Sequence, residues 1–198
     1  LGLIGENGSG KSTLSSIISG MQKAESVEMN FKGETWNPAT MIESLEKGIG
    51  MIVQDSGTIP GITVAENIFL GELDEFKIFK TKKGKRFGFI DSRKMNKKAN
   101  EILDEIGEVT VRGNMMTGNL DFQTRKLIEI AKIYRKNPDV LVVDETTTAL
   151  SLHGRGILYG LIRKYKKENK SVIFISHDID EMMAVCDTLY VLRDGKYI

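Results

Sequence analysis

Residues 1–13 read LGLIGENGSGKST, and this stretch decides the fold. A short apolar run leads into a glycine-rich turn, and the residues after the turn open a helix. Positions 5–12 match G-x-x-x-x-G-K-[ST] through Gly5, Gly10, Lys11 and Ser12. With glycine near 7% of residues, about one chain in a hundred of this length matches by chance. Glycines let successive backbone N–H groups fold inward around phosphate oxygens. The helix that follows points its positive end at the same phosphates. Lys11 is then placed to reach the β and γ oxygens, and the Ser12 hydroxyl to bind Mg²⁺. The plain alternative is a glycine-rich turn with no ligand. A strand before the turn and a helix after it argue against that alternative.

Working outward, short β-rich runs alternate with helical stretches, which predicts an α/β fold with a mainly parallel sheet. Strands are predicted at 1–4, 50–53, 140–143, 172–175 and 188–192, the last followed by RDGK, a hairpin signal. Helices are predicted after Lys11 and at 38–47, 64–70, 92–106, 124–136, 154–168 and 179–185. From about 60 to 123 there is little strand character, so this segment reads as an inserted helical subdomain. The core is then 1–59 and 124–198.

The 198 residues suit one domain with a smaller subdomain, and 40% hydrophobic with 28% charged residues suits a real core. A net charge of +1 predicts no general attraction to nucleic acid or an anionic membrane. Cys186 stands alone, which excludes a disulfide framework and fits a reducing compartment. No apolar run approaches the ~18–20 residues of a membrane span. The chain begins with Leu1 inside an apolar run and ends within a strand pair, so it reads as truncated at both ends. The basic run KTKKGKR (80–86) reads as a solvated loop, and Trp36 as packing. Met182, Met183 and Cys186 read as core, and His153 as a surface residue without a partner.

Two further runs repeat one design. VLVVDE (140–145) is a buried strand ending in two carboxylates, at the edge where open α/β sheets bind ligands. Asp144 is placed to bind Mg²⁺ directly or through water, and Glu145 to orient or deprotonate an attacking water. VIFISHD (172–178) ends in His177, which can contact a γ-phosphate or the water; the alternative is a histidine capping the next helix. Gln54 closes GMIV in the same way, and its amide is a further candidate for Mg²⁺ or the water.

In this order, these elements resemble the nucleotide-binding domain of ATP-binding cassette (ABC) proteins, over the whole chain. The stretches GENGSGKSTL, GIGMIVQD, TVAENIFLGE, GFIDSRKM, EIAKIYRKNPDVLVVDETTTALS and ISHDIDEMMAVCDTLYVLRDGK are similar to the ATPase subunits of bacterial importers of the ribose, galactose and xylose type. The resemblance implies a RecA-like P-loop NTPase core that binds ATP and Mg²⁺. Gly5, Glu6, Asn7, Gly8, Ser9, Gly10, Lys11, Ser12 and Thr13 would hold the phosphates. Ser12, Gln54 and Asp144 would serve the metal, and Glu145, His177 and Gln54 the hydrolysis. It also implies a peripheral protein at the cytoplasmic face of the membrane. Its partners would be a second cassette on the same polypeptide, membrane permease subunits and, indirectly, a periplasmic or extracellular sugar-binding protein, with no nucleic acid. The sugar itself is not encoded here.

Four departures follow from the same resemblance. The family's adenine-stacking aromatic lies upstream of the phosphate loop, so this chain is expected to hold ATP less tightly. The family's Pro after the catalytic Glu is Thr146, and its Asp after TAL is Ser151. The family's Leu-Ser-x-Gly-Gln signature, which closes over ATP on a partner cassette, falls on LDFQT (120–124). Asp121 is a good helix cap there but opposes phosphate, since two like charges 4 Å apart repel by ~4 kcal/mol at an effective dielectric of 20. Gln123 fills space where close backbone approach is needed. This signature is therefore expected to clamp ATP poorly, which is harmless if it faces only an altered phosphate loop in the second cassette. The leading reading is an ATP hydrolase that powers sugar import. The alternatives are a regulatory nucleotide-binding cassette with negligible hydrolysis, and a soluble ABC ATPase of DNA repair or translation. A P-loop kinase gives no reason for the Asp144–Glu145 pair.

Overall fold

The computed structural model describes residues 1–53, 57–80 and 86–198. In chain order the elements are β1 (Gly2–Ile4), α1 (Lys11–Ile18), β2 (Asn30–Phe31), β3 (Glu34–Thr35), α2 (Met41–Lys47), β4 (Ile49–Ile52), α3 (Val64–Ile68), β5 (Lys77–Lys80), β6 (Arg86–Ile90) and α4 (Ser92–Glu105). They continue with α5 (Phe122–Lys136), β7 (Val140–Asp144), α6 (Leu152–Lys167), β8 (Ser171–Ile175), α7 (Ile179–Val185), β9 (Leu189–Arg193) and β10 (Lys196–Tyr197). Two compact units result. The first holds Leu1–Asp55, Lys136–Ala149 and Tyr159–Ile198, and the second Ser56–Arg135 and Leu150–Leu158.

In the first unit, among the described residues, six strands form one sheet in the order β10-β9-β1-β8-β7-β4. Every pairing is parallel except β9 with β10. The reason is visible in β7, whose Leu141, Val142 and Val143 are fully buried and β-branched or aliphatic throughout, the composition of a strand covered on both faces. Parallel pairing brings the ends of β1, β4, β7 and β8 to one edge of the sheet. Trp36, Ile49, Met51 and Val142 form a core cluster beside it. The Trp36 indole lies edge-on to Phe31 at 5.0 Å and donates to the Ile18 carbonyl at 2.8 Å, so it is a packing residue. The β9–β10 turn predicted from RDGK is present, with Asp194 and Gly195 both left-handed at φ 50° and 73°.

The second unit has its own core, in which Val64, Ile68, Phe69, Phe76, Met95, Ala99 and Leu103 pack with Ile128 and Ala131 of α5. These contacts place α5 in this unit, whereas the sequence pattern assigned 124–198 to the core. Thr63 caps α3 in a reciprocal capping box with Glu66. Buried Asn67 ties the neighbouring loops, donating to Ile59 O, Thr63 O and Thr117 Oγ1 at 2.9–3.1 Å.

Three further sequence expectations are corrected. The 60–123 segment contains the antiparallel pair β5–β6, held by a Phe79–Phe87 ring contact at 5.5 Å. The two phenylalanines flank the basic run 80–86, which reads as loop, and each strand is only four or five residues long. Met182 is fully buried, but Met183 is 67% exposed, because one residue turns the helix by about 100°. His153 is exposed but not alone: its Nε2 lies 3.6 Å from Glu108 Oε2. Residues 81–85 of the basic run lie outside the described residues.

Glu108 follows α4 and is buried, with 2% of its surface exposed. Its Oε1 accepts from Thr110 N at 2.7 Å, Thr110 Oγ1 at 2.5 Å and Val111 N at 3.1 Å. Burial pushes the carboxyl up. The Thr110 and Val111 donors, with His153, outweigh it and hold the pKa below the ordinary glutamate value. Glu108→Gln is therefore expected to destabilise the chain by about 1–3 kcal/mol at pH 7. A depressed folded pKa gives stability that is complete above the unfolded value of about 4.3 and is lost as pH falls through the folded value. Urea titrations should show a constant gap between wild type and variant from about pH 7 to 5, closing at lower pH.

Candidate functional site

The turn after β1 is built for close approach. Gly8 and Gly10 are left-handed, at φ 81° and 100°. A Cβ on Gly5 would lie 2.2 Å from the Leu192 carbonyl oxygen and 2.6 Å from Ser9 Oγ. Gly10 precedes α1 without capping it by a side chain, and no acidic residue sits in the first turn, so the helix presents an uncompensated positive end. The β9–β10 turn braces the loop from behind, with Gly195 N donating to Ser9 O at 3.1 Å. Lys11 is buried and folds back over the loop, donating to Gly5 O at 2.8 Å and Glu6 O at 2.9 Å. Glu6, Asn7, Gly8, Ser12 and Thr13 are exposed around it, and the buried Ser9 hydroxyl has no hydrogen-bond partner.

Asp144 ends β7 and is 4% exposed. Its Oδ2 accepts from Ser15 Oγ at 3.0 Å, while its Oδ1 is buried with no hydrogen-bond partner. Burial, and then the charge of Glu145, push its carboxyl up against the opposing pull of the Ser15 and Ser12 hydroxyls and Lys11. A carboxylate with an orphaned oxygen beside a serine hydroxyl fits a hard cation such as Mg²⁺. Among the described residues no group of three or more His, Cys, Asp or Glu side chains stands together. Mg²⁺ tolerates this, because it binds through one or two carboxylates and completes its shell with phosphates and water. Ser15 was missed in the sequence, although four residues after Lys11 places it on the same side of α1.

Glu145 follows in a left-handed conformation, φ 44°, which costs a non-glycine residue of order 1–3 kcal/mol. Local bonds hold it there. Its N–H donates to Ile175 O at 3.0 Å, and its carbonyl accepts from Thr148 Oγ1 at 2.9 Å. The fully buried Thr146 donates from Oγ1 to Asp144 O at 3.1 Å. The side chain is thereby aimed at His177, with Nε2 2.6 Å from Glu145 Oε1, a contact that needs a proton on one of the two groups. The structure thus brings Lys11, Ser12, Asp144, Glu145 and His177 to one edge of the sheet. Gln54 lies outside the described residues.

Residues 1–148 match the family described as ABC transporter. The chain belongs to that family. It is 38% identical to a ribose import ATP-binding protein of Bacillus cereus over 196 residues, 99% of this chain and 38% of the relative. It is 33% identical to an arabinose import ATP-binding protein of Chromohalobacter salexigens, over 99% of this chain and 37% of that one. The chain therefore spans well under half the length of these curated relatives. Among solved structures, a dimeric ATP-binding cassette in a post-hydrolysis state with ADP and Pi has a TM-score of 0.77 at 26% identity. The match covers 99% of this chain and 82% of that one.

In this ABC chain the segment 120–124 opens α5. Asp121 Oδ1 accepts from Thr124 N at 2.7 Å, so its carboxylate caps the helix. The Thr124 amide, then its hydroxyl, hold the Asp121 carboxyl below the usual range. The end of this helix already carries its own negative charge. Phe122 beside it is exposed.

The glycines of the phosphate loop give separable tests. Gly5→Ala forces the loop away from Leu192 and is expected to weaken nucleotide binding at least about tenfold. Gly8→Ala meets no atom within 4 Å and carries only the left-handed penalty, about 1–2 kcal/mol of stability. Titration with a fluorescent nucleotide, beside thermal melts, checks both.

Proposed function

We propose that this chain is most of an ATP-binding cassette that binds MgATP and hydrolyses it to power sugar import through membrane permease subunits. The observation that carries the reading is the edge where Lys11, the orphaned Asp144 oxygen and the Glu145–His177 contact converge. In this reading Lys11 exchanges the Gly5 and Glu6 carbonyls for β and γ phosphate oxygens. The α1 terminus and the loop amides take the remaining phosphate charge. Asp144 and Ser12 hold Mg²⁺, which supplies neutralisation of charge on the phosphates. Glu145 accepts a proton from the attacking water, and His177 orients that water or the γ-phosphate. Gln54 remains a candidate for the same metal and water.

The solute class is taken from relatives named for ribose and arabinose import. The names of these relatives also favour transport over a soluble role in DNA repair or translation. Permease subunits, a solute-binding protein and a second cassette on the same polypeptide complete the assembly, at the cytoplasmic face of the membrane. No helix among the described residues is long and apolar enough to cross a membrane, which suits a peripheral subunit. Asp121 and Gln123 favour one second reading, a regulatory cassette that binds nucleotide without turning it over.

Glu145→Gln separates the two. Under hydrolysis, ATP turnover by the full-length protein should fall at least about a hundredfold while MgATP affinity stays within about threefold. Under the regulatory reading, the substitution changes little. The chain alone is expected to bind MgATP weakly and turn over almost none. Brisk turnover abolished by Glu145→Gln would mean that LDFQT clamps ATP after all.

A further inference from the structure

Residues 178–181 read Asp-Ile-Asp-Glu, the pattern of a capping box at the start of α7. Half of the box is present, with Glu181 N donating to Asp178 Oδ1 at 3.0 Å. The other half is diverted. In a capping box the glutamate reaches back to the N–H of the cap residue. Here the Asp178 N–H donates instead to Ser176 Oγ, at 3.1 Å. Ser176 in turn donates to Glu181 Oε2 at 2.6 Å. The Glu181 carboxylate is thereby free to collect two more donors, Thr147 Oγ1 at 3.0 Å on Oε2 and the Tyr159 hydroxyl on Oε1.

The positions of these donors matter. Ser176 and Asp178 flank His177 on both sides. Thr147 lies two residues after Glu145, in the 3-10 turn Thr146–Ala149. One carboxylate thus grips the backbone segments that carry both members of the Glu145–His177 pair, which stand 2.6 Å apart. Ser176 and Thr147 are each 3% exposed, so water does not replace their bonds readily. A carboxylate has only acceptors and suits three hydroxyl donors without conflict.

On the reading of the chain as an ATP hydrolase, we infer that Glu181 is a positioning residue for the reaction, holding the His177 segment and the turn after Glu145 in register. It touches neither the phosphate loop nor the metal site. Its loss should therefore slow the chemical step and leave ATP binding alone. The inference concerns shape rather than charge. A glutamine can keep its oxygen on Ser176 and Thr147 and turn its amide to the Tyr159 hydroxyl, which is able to accept. An alanine keeps nothing.

The test is steady-state ATP turnover by the full-length protein, with melting temperature measured in parallel. Glu181→Ala should lower kcat about ten- to a hundredfold with KM for ATP within about twofold. Glu181→Gln should recover kcat to within about threefold of wild type, and Tyr159→Phe, which removes the hydroxyl that Tyr159 donates to Glu181, should stay within about twofold. Ser176→Ala should resemble Glu181→Ala, and the double variant should be no worse than the poorer single, because both act on one network. Equal losses in Glu181→Ala and Glu181→Gln would overturn the inference, as would multiplicative losses in the double variant. A raised KM accompanied by a lowered melting temperature would reduce Glu181 to a structural residue and overturn it too. Turnover that Glu145→Gln abolishes but Glu181→Ala leaves intact would sink this inference alone. Turnover insensitive to Glu145→Gln would instead sink the hydrolase reading.

Discussion

A carboxylate buried at the end of an apolar strand is the constraint on which the rest of the first unit depends. Asp144 follows three fully buried residues of β7 and is itself almost fully buried. Removing such a charge from water costs on the order of several kcal/mol unless it is paired. The Ser15 hydroxyl offsets part of that cost and, in doing so, fastens α1 to β7. The turn of residues 5–10 is therefore held between two anchored ends, β1 in the sheet and α1 on Asp144. The unpaired Oδ1 is the part left over, and it faces the need for a cation. On the proposed reading, the atom that destabilises the free chain is the one that would hold a metal-bound nucleotide.

The next residue shows how strained geometry is held by local bonds. Glu145 sits in a conformation that non-glycine residues avoid, and its neighbours keep it there: Ile175, Thr148, and Thr146 acting through Asp144. The resemblance to the family puts a proline where Thr146 stands. A proline would restrain the turn through its ring. Here a buried hydroxyl does so through a hydrogen bond to the Asp144 carbonyl, and the following threonines fasten the turn to Glu145 and to α7. In place of a rigid ring, a set of polar contacts restrains the turn at the end of β7.

Much of this was legible in the sequence because the site residues terminate apolar runs. Leu1–Ile4, VLVVD and VIFIS each announce a buried strand, and parallel pairing sends their ends to one edge whatever the loops do. What escaped had no such marker. Ser15 looks like any polar residue of an amphipathic helix until Asp144 is seen beneath it. Glu181 reads as half of a capping box, and only the diversion of the Asp178 N–H to Ser176 shows that its carboxylate is engaged elsewhere. The β5–β6 pair escaped because its strands are only four and five residues long and flank a basic run that reads as loop, so that neither shows a clear alternation. Met183 was misplaced for a simpler reason: neighbouring residues of a helix point about 100° apart, and of α7 only Met182 is buried.

The start of α5 bears on how such a cassette can work. A helix end offers one partial positive charge, and Asp121 already answers it through the Thr124 amide. The bond that makes Asp121 a good cap also holds its carboxyl in the charged form, since the depressed pKa lies far below neutrality. Helix stability and phosphate attraction therefore compete for the same group at this position, and stability has won. The phosphate loop shows the opposite choice, with no acidic residue in the first turn of α1 and no side-chain cap at Gly10. Two helix ends in one chain have been given opposite electrostatics. One is left open to an anion and the other is closed to it. On the proposed reading, a chain arranged in this way holds a nucleotide on its own loop and takes the closing surface for that nucleotide from another polypeptide segment.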